Sequence, residues 1–204
     1  MNEIFFTSDT HWSHQNILKH CNRPFKTIEE HDETLIANWN STVGKRDLVY
    51  HLGDFAMIPK QDDGTLRMKL YRRLRMRLNS KIALLVGNHD QMSRDVYDLF
   101  TDVGDIMEPK VDGHKLFLCH YPMRSYNGSF HPNRWNFHGH NHNRLPELPY
   151  LRSKDVGVDG WNYKPIPWEV LKKEMERKEL IWSEYYKRSK VDFKTVSESI
   201  EKEH

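Results

Sequence analysis

Short apolar runs recur along this chain at strand-like lengths, and in its first half they alternate with helix-like stretches. Ile4–Ser8, Leu48–Leu52 and Ile82–Val86 are β-prone, and the last is apolar throughout, as in a strand buried on both faces. Between them, Asn16–Cys21 fits a short helix. Thr27-Ile28-Glu29-Glu30 reads as a capping box with Thr27 as N-cap. The helix it opens carries Leu35, Ile36, Trp39 and Val43 on one face, and Gly44 suits its end. Leu66, Leu70, Leu74 and Leu78 recur every four residues and predict a helix over 65–78; residues 91–101 also read as helical.

The second half is richer in strands. Asp112-Gly113 predicts a hairpin turn whose second arm, Lys115–Cys119, ends at His120. Residues 136–138 and 155–158 read as further strands, and Pro165 and Pro167 precede a charged helix over 168–179. This pattern predicts an α/β fold, a four-layer α/β/β/α sandwich of two mixed sheets flanked by helices. Residues 1–180 are expected to form one domain. Residues 181–204 are expected to be a C-terminal helix or arm, with Trp182, Tyr185 and Tyr186 as anchors on the body or on a partner.

Composition narrows the function classes. The 204 residues carry 31 basic and 29 acidic side chains, a balance that points neither to nucleic acid nor to a membrane. No 18-residue apolar run and no signal-peptide pattern are present, and the two cysteines, Cys21 and Cys119, form no metal-type pair. A reduced, cytoplasmic setting is expected. Thirteen histidines are the anomaly, and they suggest metal ligation or proton handling.

Five motifs stand at the ends of apolar runs: Asp9-Thr10-His11, Gly53-Asp54, Gly87-Asn88-His89-Asp90, His120 and Gly139-His140-Asn141-His142. Open α/β sheets bind ligands beyond the carboxyl ends of their strands, so loops distant in sequence can share one pocket. Mixed oxygen and imidazole donors suit Mn, Fe, Zn or Ni. Singly, each motif has an ordinary reading. Gly-Asp and Gly-Asn are turn signals, and a strand-end histidine is usually satisfied locally. Their occurrence together and in order is what argues for chemistry.

The set resembles the calcineurin-like metallophosphoesterase family in its small, single-domain bacterial and phage-type form. That resemblance implies a dinuclear metal centre, with one ion held by Asp9, His11, Asp54 and His142. The other would be held by Asp54, Asn88, His120 and His140, with Asp54 bridging. It implies two divalent transition-metal ions, Mn foremost, and hydrolysis of a phosphoester by in-line attack of a metal-bridging hydroxide. His89 would donate a proton to the leaving oxygen, and Asp90 would orient His89.

His14, Arg23 and Arg124 lie on loops after motif strands and are candidate substrate contacts, since an arginine can clamp a phosphate. Against this stands the plainer reading of surface pairs or loop contacts. Trp12, Tyr126, Trp135 and Trp161 could wall a pocket, although such aromatics are more often core. His51 and His138 read as support for ligands or as strand packing. The basic run from Arg67 to Arg77 reads as a solvated helix face. A small phosphodiester or nucleotide is the favoured substrate. A nuclease acting on DNA or RNA is the second reading, and a non-catalytic scaffold with this fold is a distant third.

Overall fold

The computed structural model describes residues 2–57, 65–90 and 94–201, and side chains as far as residue 187. β1 (Ile4–Thr7) leads through α1 (Ile17–His20) and α2 (Ile28–Thr42) to β2 (Leu48–His51). α3 (Thr65–Arg77) returns the chain to β3 (Lys81–Leu85), and α4 (Arg94–Tyr97) returns it to β4 (Asp102–Gly104). Helical crossovers of this kind leave consecutive strands parallel, and β1 to β4 pair in that way.

β5 (Ile106–Met107), β6 (Lys110–Val111), β7 (His114–Cys119), β8 (Arg134–His138) and β9 (Ser153–Asp155) follow. β7, β8 and β9 are parallel, and β5 and β6 run antiparallel to β7. β10 (Ile166–Pro167) then pairs antiparallel with β1, and α5 (Trp168–Glu201) completes the chain. The outcome is two mixed sheets flanked by helices, ordered β10-β1-β2-β3-β4 and β5-β7-β8-β9.

Two apolar clusters hold these layers. Phe5, Val49, Ile82 and Leu84 on one face of the first sheet meet Leu35, Ile36 and Trp39 of α2 and Tyr71 and Leu74 of α3. On its other side, Phe6 joins Leu116, Leu118, Trp135 and Phe137 of the second sheet and Trp168, Leu171 and Met175 of α5. β3 is buried on both faces from Ile82 to Leu85, as its unbroken apolar run predicts. Trp12 and Trp135 are fully buried members of these two clusters.

Several local expectations need correction. The leucine stripe of α3 drifts, because a four-residue step overshoots the 3.6-residue turn by about 40°. Leu66 is accordingly 57% exposed, and Tyr71 and Leu74 carry the buried face. In α2, Thr27 Oγ1 accepts the Glu30 N–H at 3.1 Å, but the Glu30 carboxylate reaches back to Lys26 N–H. Val43 is the C-cap and Gly44 follows directly at the helix end, as expected, with Asp47 accepting the Gly44 N–H. The strand expected over 155–158 stops at Asp155. Its Oδ1 takes the Gly157 N–H at 2.7 Å, and a 3-10 turn follows at Val158–Gly160. Of the helix expected over 91–101, residues 91–93 lie outside the described residues and α4 covers Arg94–Tyr97.

The hairpin does form, with Asp112 at φ 51° and Gly113 at φ 84°, the left-handed pair that a two-residue turn requires. α5 runs without a break past residue 180. Trp182 lies under the Arg152 guanidinium at 3.7 Å and Tyr185 stacks on Tyr150 at 4.8 Å, so both aromatics pack on this chain's own body. Among the described residues no helix is long and apolar enough to cross a membrane.

Candidate metal centre

Asp9, Asp54, Asn88, His120 and His140 each fall within three residues of the end of β1, β2, β3, β7 or β8. The loops are pinned to one another. Asp9, His11 and Trp12 donate their N–H groups to the carbonyls of Gly53, Asp54 and Phe55, each at 3.0 Å. His140 N–H donates to the Asp9 carboxylate at 3.0 Å, and His89 N–H donates to Asp54 Oδ1 at 2.8 Å.

The backbone is left-handed at Asp9, His11, Asp54, His140 and His142, with φ of 56°, 52°, 54°, 72° and 50°. Each such non-glycine residue costs about 1 kcal/mol, so these hydrogen bonds hold a strained backbone in place. Gly87 and Gly139 are required for close approach. A Cβ at Gly87 would strike the Asp54 carboxylate, and one at Gly139 would strike the Asp9 carboxylate and the Ser8 hydroxyl.

The side chains meet in two overlapping sets. Ligand atoms of Asp9, His11 and His142 lie within 4.8 Å of one another, as do those of Asp9, Asp54 and His120. Asp9 is common to both sets, and Asp54 Oδ2 of the second also reaches the first, 3.3 Å from His11 Nε2 and 3.5 Å from His120 Nε2. Asn88 Oδ1 is 3.1 Å from His120 Nε2 and 2.8 Å from His140 Nδ1. All seven expected ligands are therefore brought together.

Electrostatics show what this cage lacks. Burial raises the Asp9 carboxyl to about 7, against the pull of His142 and His120. Burial also raises Asp54, but the hydrogen bond and charge of His120, with the His89 N–H, leave it below its ordinary value. Burial lowers His11 strongly, helped by the Arg23 charge, so its ring is neutral. Burial opposes the charge on His120, yet its bond to Asp54 and the Asp9 charge raise it. His142 rises to about 10: burial works against this, but the bonds to Asp159 and Cys21 prevail.

His11 Nε2 is buried and has no hydrogen-bond partner, although two carboxylates face it. A neutral imidazole lone pair set between acids can be satisfied by a cation. The donor set of carboxylate, amide oxygen and imidazole thus fits divalent transition metals. Cys21 and Asp159 form a further donor group with His142, which is shared with the first of these sets.

The structure reassigns other candidates. Arg23 is buried and its donors are taken. Nε and Nη2 fork onto Asp159 at 2.8 and 2.7 Å, Nη2 also reaches the Asp9 carbonyl at 2.7 Å, and Nη1 reaches the Thr10 carbonyl at 3.0 Å and His31 Nε2 at 2.8 Å. No donor remains to clamp a phosphate, so Arg23 is a structural clamp and not a substrate contact.

Asp90 does not orient the His89 ring. Its oxygens accept from Phe55 N–H, Tyr71 Oη–H and Gly87 N–H, each at 2.9 Å, so it ties the loops after β2 and β3 to α3. Burial lifts its carboxyl to about 6, against the Gly87 N–H. His14 Nδ1 sits 3.2 Å from His11 Nδ1, behind the candidate ligand. Burial, and next the His89 charge, hold His14 down to about 4. With both rings neutral, one Nδ1–H serves the pair, and His11 as its donor leaves His11 Nε2 bare for an ion.

Arg124 is exposed on the rim of a cleft of about 520 Å³ whose lining includes Met123, His138, Leu148 and Lys178. His89 is half-buried, its ring 5.2 Å from that of His11 and 5.6 Å from that of His14. His51 supports the cage indirectly. Its Nε2 meets Thr10 Oγ1 at 2.8 Å while that hydroxyl donates to the Phe55 carbonyl.

Sequence reading missed Asp159, which accepts from both Arg23 and His142, and the His31–Asp32 pair that backs Arg23. Asp159-Gly160 looks like an ordinary turn, and no local signal marks it.

The family model for calcineurin-like phosphoesterase matches residues 3–199. An uncharacterized protein of Methanocaldococcus jannaschii is 37% identical over 186 residues, covering 89% of this chain and 96% of that protein. The gene 66 protein of Mycobacterium phage L5 is 29% identical over 191 residues, covering 79% of this chain and 88% of that protein. A solved structure of a protein of unknown function from Aquifex aeolicus matches with a TM-score of 0.67 at 25% identity, over 85% of this chain and 99% of that one.

Proposed function

The chain belongs to the calcineurin-like phosphoesterase family, and on that premise we propose that it is a two-metal hydrolase of small phosphodiesters or nucleotides. Asp9, His11, Asp54 and His142 would hold one ion, and Asp54, Asn88, His120 and His140 the other. Mn is the first choice on donor type, with Fe, Zn or Ni as alternatives. The observation that carries this reading is the position of Asp54 Oδ2, 3.3 Å from His11 and 3.5 Å from His120. When bound, such a pair supplies Lewis-acid charge that brings a water pKa toward 7 and offsets charge on phosphoryl oxygens.

The chain's own residues complete the chemistry. The His89 backbone is pinned to Asp54 at 2.8 Å, and its half-buried ring stands beside those of His11 and His14. It is placed to give a proton to the departing ester oxygen. Alkoxide leaving groups, such as those of an alkyl diester, gain most from such help.

Mn-loaded protein tested against p-nitrophenyl phosphate, bis(p-nitrophenyl) phosphate, cyclic nucleotides and oligonucleotides checks the proposal. Diesters are expected to show the higher kcat/KM, and a preference for the monoester would overturn it. α3 does present exposed Lys69, Arg72 and Arg73. However, Tyr71, on the helix's buried side, is the residue that reaches Asp90 beneath the cage. The basic face thus looks away from the reacting centre, and oligonucleotides are expected to be the poorer substrates.

Metal loading should also stabilise the fold in a pH-dependent way. Asp9 holds its proton up to about 7 and His142 up to about 10 in the metal-free cage, so cations compete with protons there. Above pH 6.5 the folded metal-free protein therefore binds more protons than the unfolded chain, and it loses stability as pH rises. Mn at one fixed concentration, 100 times its Kd at pH 6.5, is expected to add about 2.7 kcal/mol at that pH, or roughly 5–10 °C in Tm. Thermal melts should show this increment growing from about pH 6.5 to 8. A constant increment would count against Asp9 and His142 as ligands.

A further inference from the structure

Arg23 and Asp159 come from segments far apart in the chain, and their bonds all run to one side of the cage. Asp159 Oδ2 accepts from Arg23 Nη2 at 2.7 Å and from His142 Nδ1 at 2.8 Å. Arg23 in turn binds the carbonyls of Asp9 and Thr10, inside the left-handed stretch that carries Asp9 and His11. We infer that Arg23 and Asp159 are positioning residues for the ion of Asp9, His11 and His142 alone, and set its affinity separately from the ion of Asn88, His120 and His140. This inference rests on the two-metal reading.

The asymmetry of the cage supports it. Around Asn88, His120 and His140 the orientation is internal or comes from backbone. His120 Nδ1 meets the Leu52 carbonyl at 2.7 Å, and His140 and His120 both contact Asn88 Oδ1. Among the described residues neither Arg23 nor Asp159 bonds to any of these three.

Around the other ion the orientation comes from side chains, which substitutions can remove. A carboxylate behind His142 fixes which ring nitrogen carries the proton, aims the other at the ion and raises its basicity. The Arg23–Asp159 pair is internally neutral, so this support adds no net charge to the cage. Arg23 uses Nε and both Nη atoms toward four partners lying in different directions, which a single ammonium cannot reproduce.

Mn titration by calorimetry, with metal analysis after gel filtration, tests the inference without any activity assay. Wild type is expected to hold two Mn. Asp159→Asn is expected to keep one at wild-type affinity while the other weakens about 10–100-fold. Asp159→Glu should recover part of that loss, and Glu33→Gln, at the surface pair with Arg77, should leave both ions unchanged. Arg23→Lys makes the same comparison should Asp159→Asn not fold.

Two Mn at wild-type affinity in Asp159→Asn would overturn the inference. So would equal weakening of both ions, because that would mark general support of the cage. Wild-type protein that binds fewer than two Mn would instead overturn the two-metal reading, and the inference with it.

Discussion

Asp54→Asn is expected to leave less than one Mn per chain and to lower phosphodiester turnover by at least about 10³-fold. Asn has nearly the shape of Asp, so the loops should keep their course, but the charge shared by both donor sets is gone. Asp54 Oδ2 lies 3.3 Å from His11 Nε2 and 3.5 Å from His120 Nε2, whereas Asp9, which also belongs to both donor groups, has its Oδ1 4.0 Å from His11 Nε2. The metal-free variant should be no less stable than metal-free wild type. Its new amide N–H can satisfy the bare His11 Nε2, and the substitution removes the buried Asp54 charge that helps raise the Asp9 pKa. Metal analysis, turnover and a thermal melt without metal check the three parts. Retention of both ions would remove Asp54 from its bridging role.

His89→Ala should separate acid chemistry from metal holding. The His89 bond to Asp54 is made by its backbone N–H, which alanine retains, so both Mn ions are expected to stay. Turnover of a diester with an alkyl leaving group should fall about 10²–10⁴-fold. A p-nitrophenyl ester, whose leaving oxygen needs little protonation, should fall much less. Parallel kinetics on the two esters with a metal assay decide the matter. Equal losses on both esters, or departure of an ion, would show that the ring serves binding and not proton donation.

With its oxygens engaged by Phe55, Tyr71 and Gly87, Asp90 gives the His89 ring no carboxylate partner, and acid function must come from the ring's own placement. The exposed basic face of α3 bears on substrate size for a similar reason. Tyr71 turns inward to Asp90, so Arg72 and Arg73 turn outward.

The chain by itself determined the strand runs of β1, β2, β3, β7 and β8, the Asp112-Gly113 turn and the seven candidate ligands. Each of these depends on residues adjacent in sequence, on a strand's period of two, or on motifs read in order. Apolar periodicity also implied two sheets with helices outside, because a run buried on both faces such as Ile82–Leu85 needs a layer on each side.

Only the tertiary structure decided what the charged groups near the cage do. Arg23 and Asp159 are 136 positions apart, and as text each looks like a loop residue. Their pairing turns a candidate phosphate clamp into a brace for His142. The same holds for Asp90, whose three donors come from three loops or helices, and for α3, where the every-fourth leucine pattern gave way to Tyr71 and Leu74. Sequence spacing reports which side chains share a face of one element. Hydrogen bonds between elements depend on how those elements pack, and a polar side chain's role is set by whichever partner reaches it first in the folded chain.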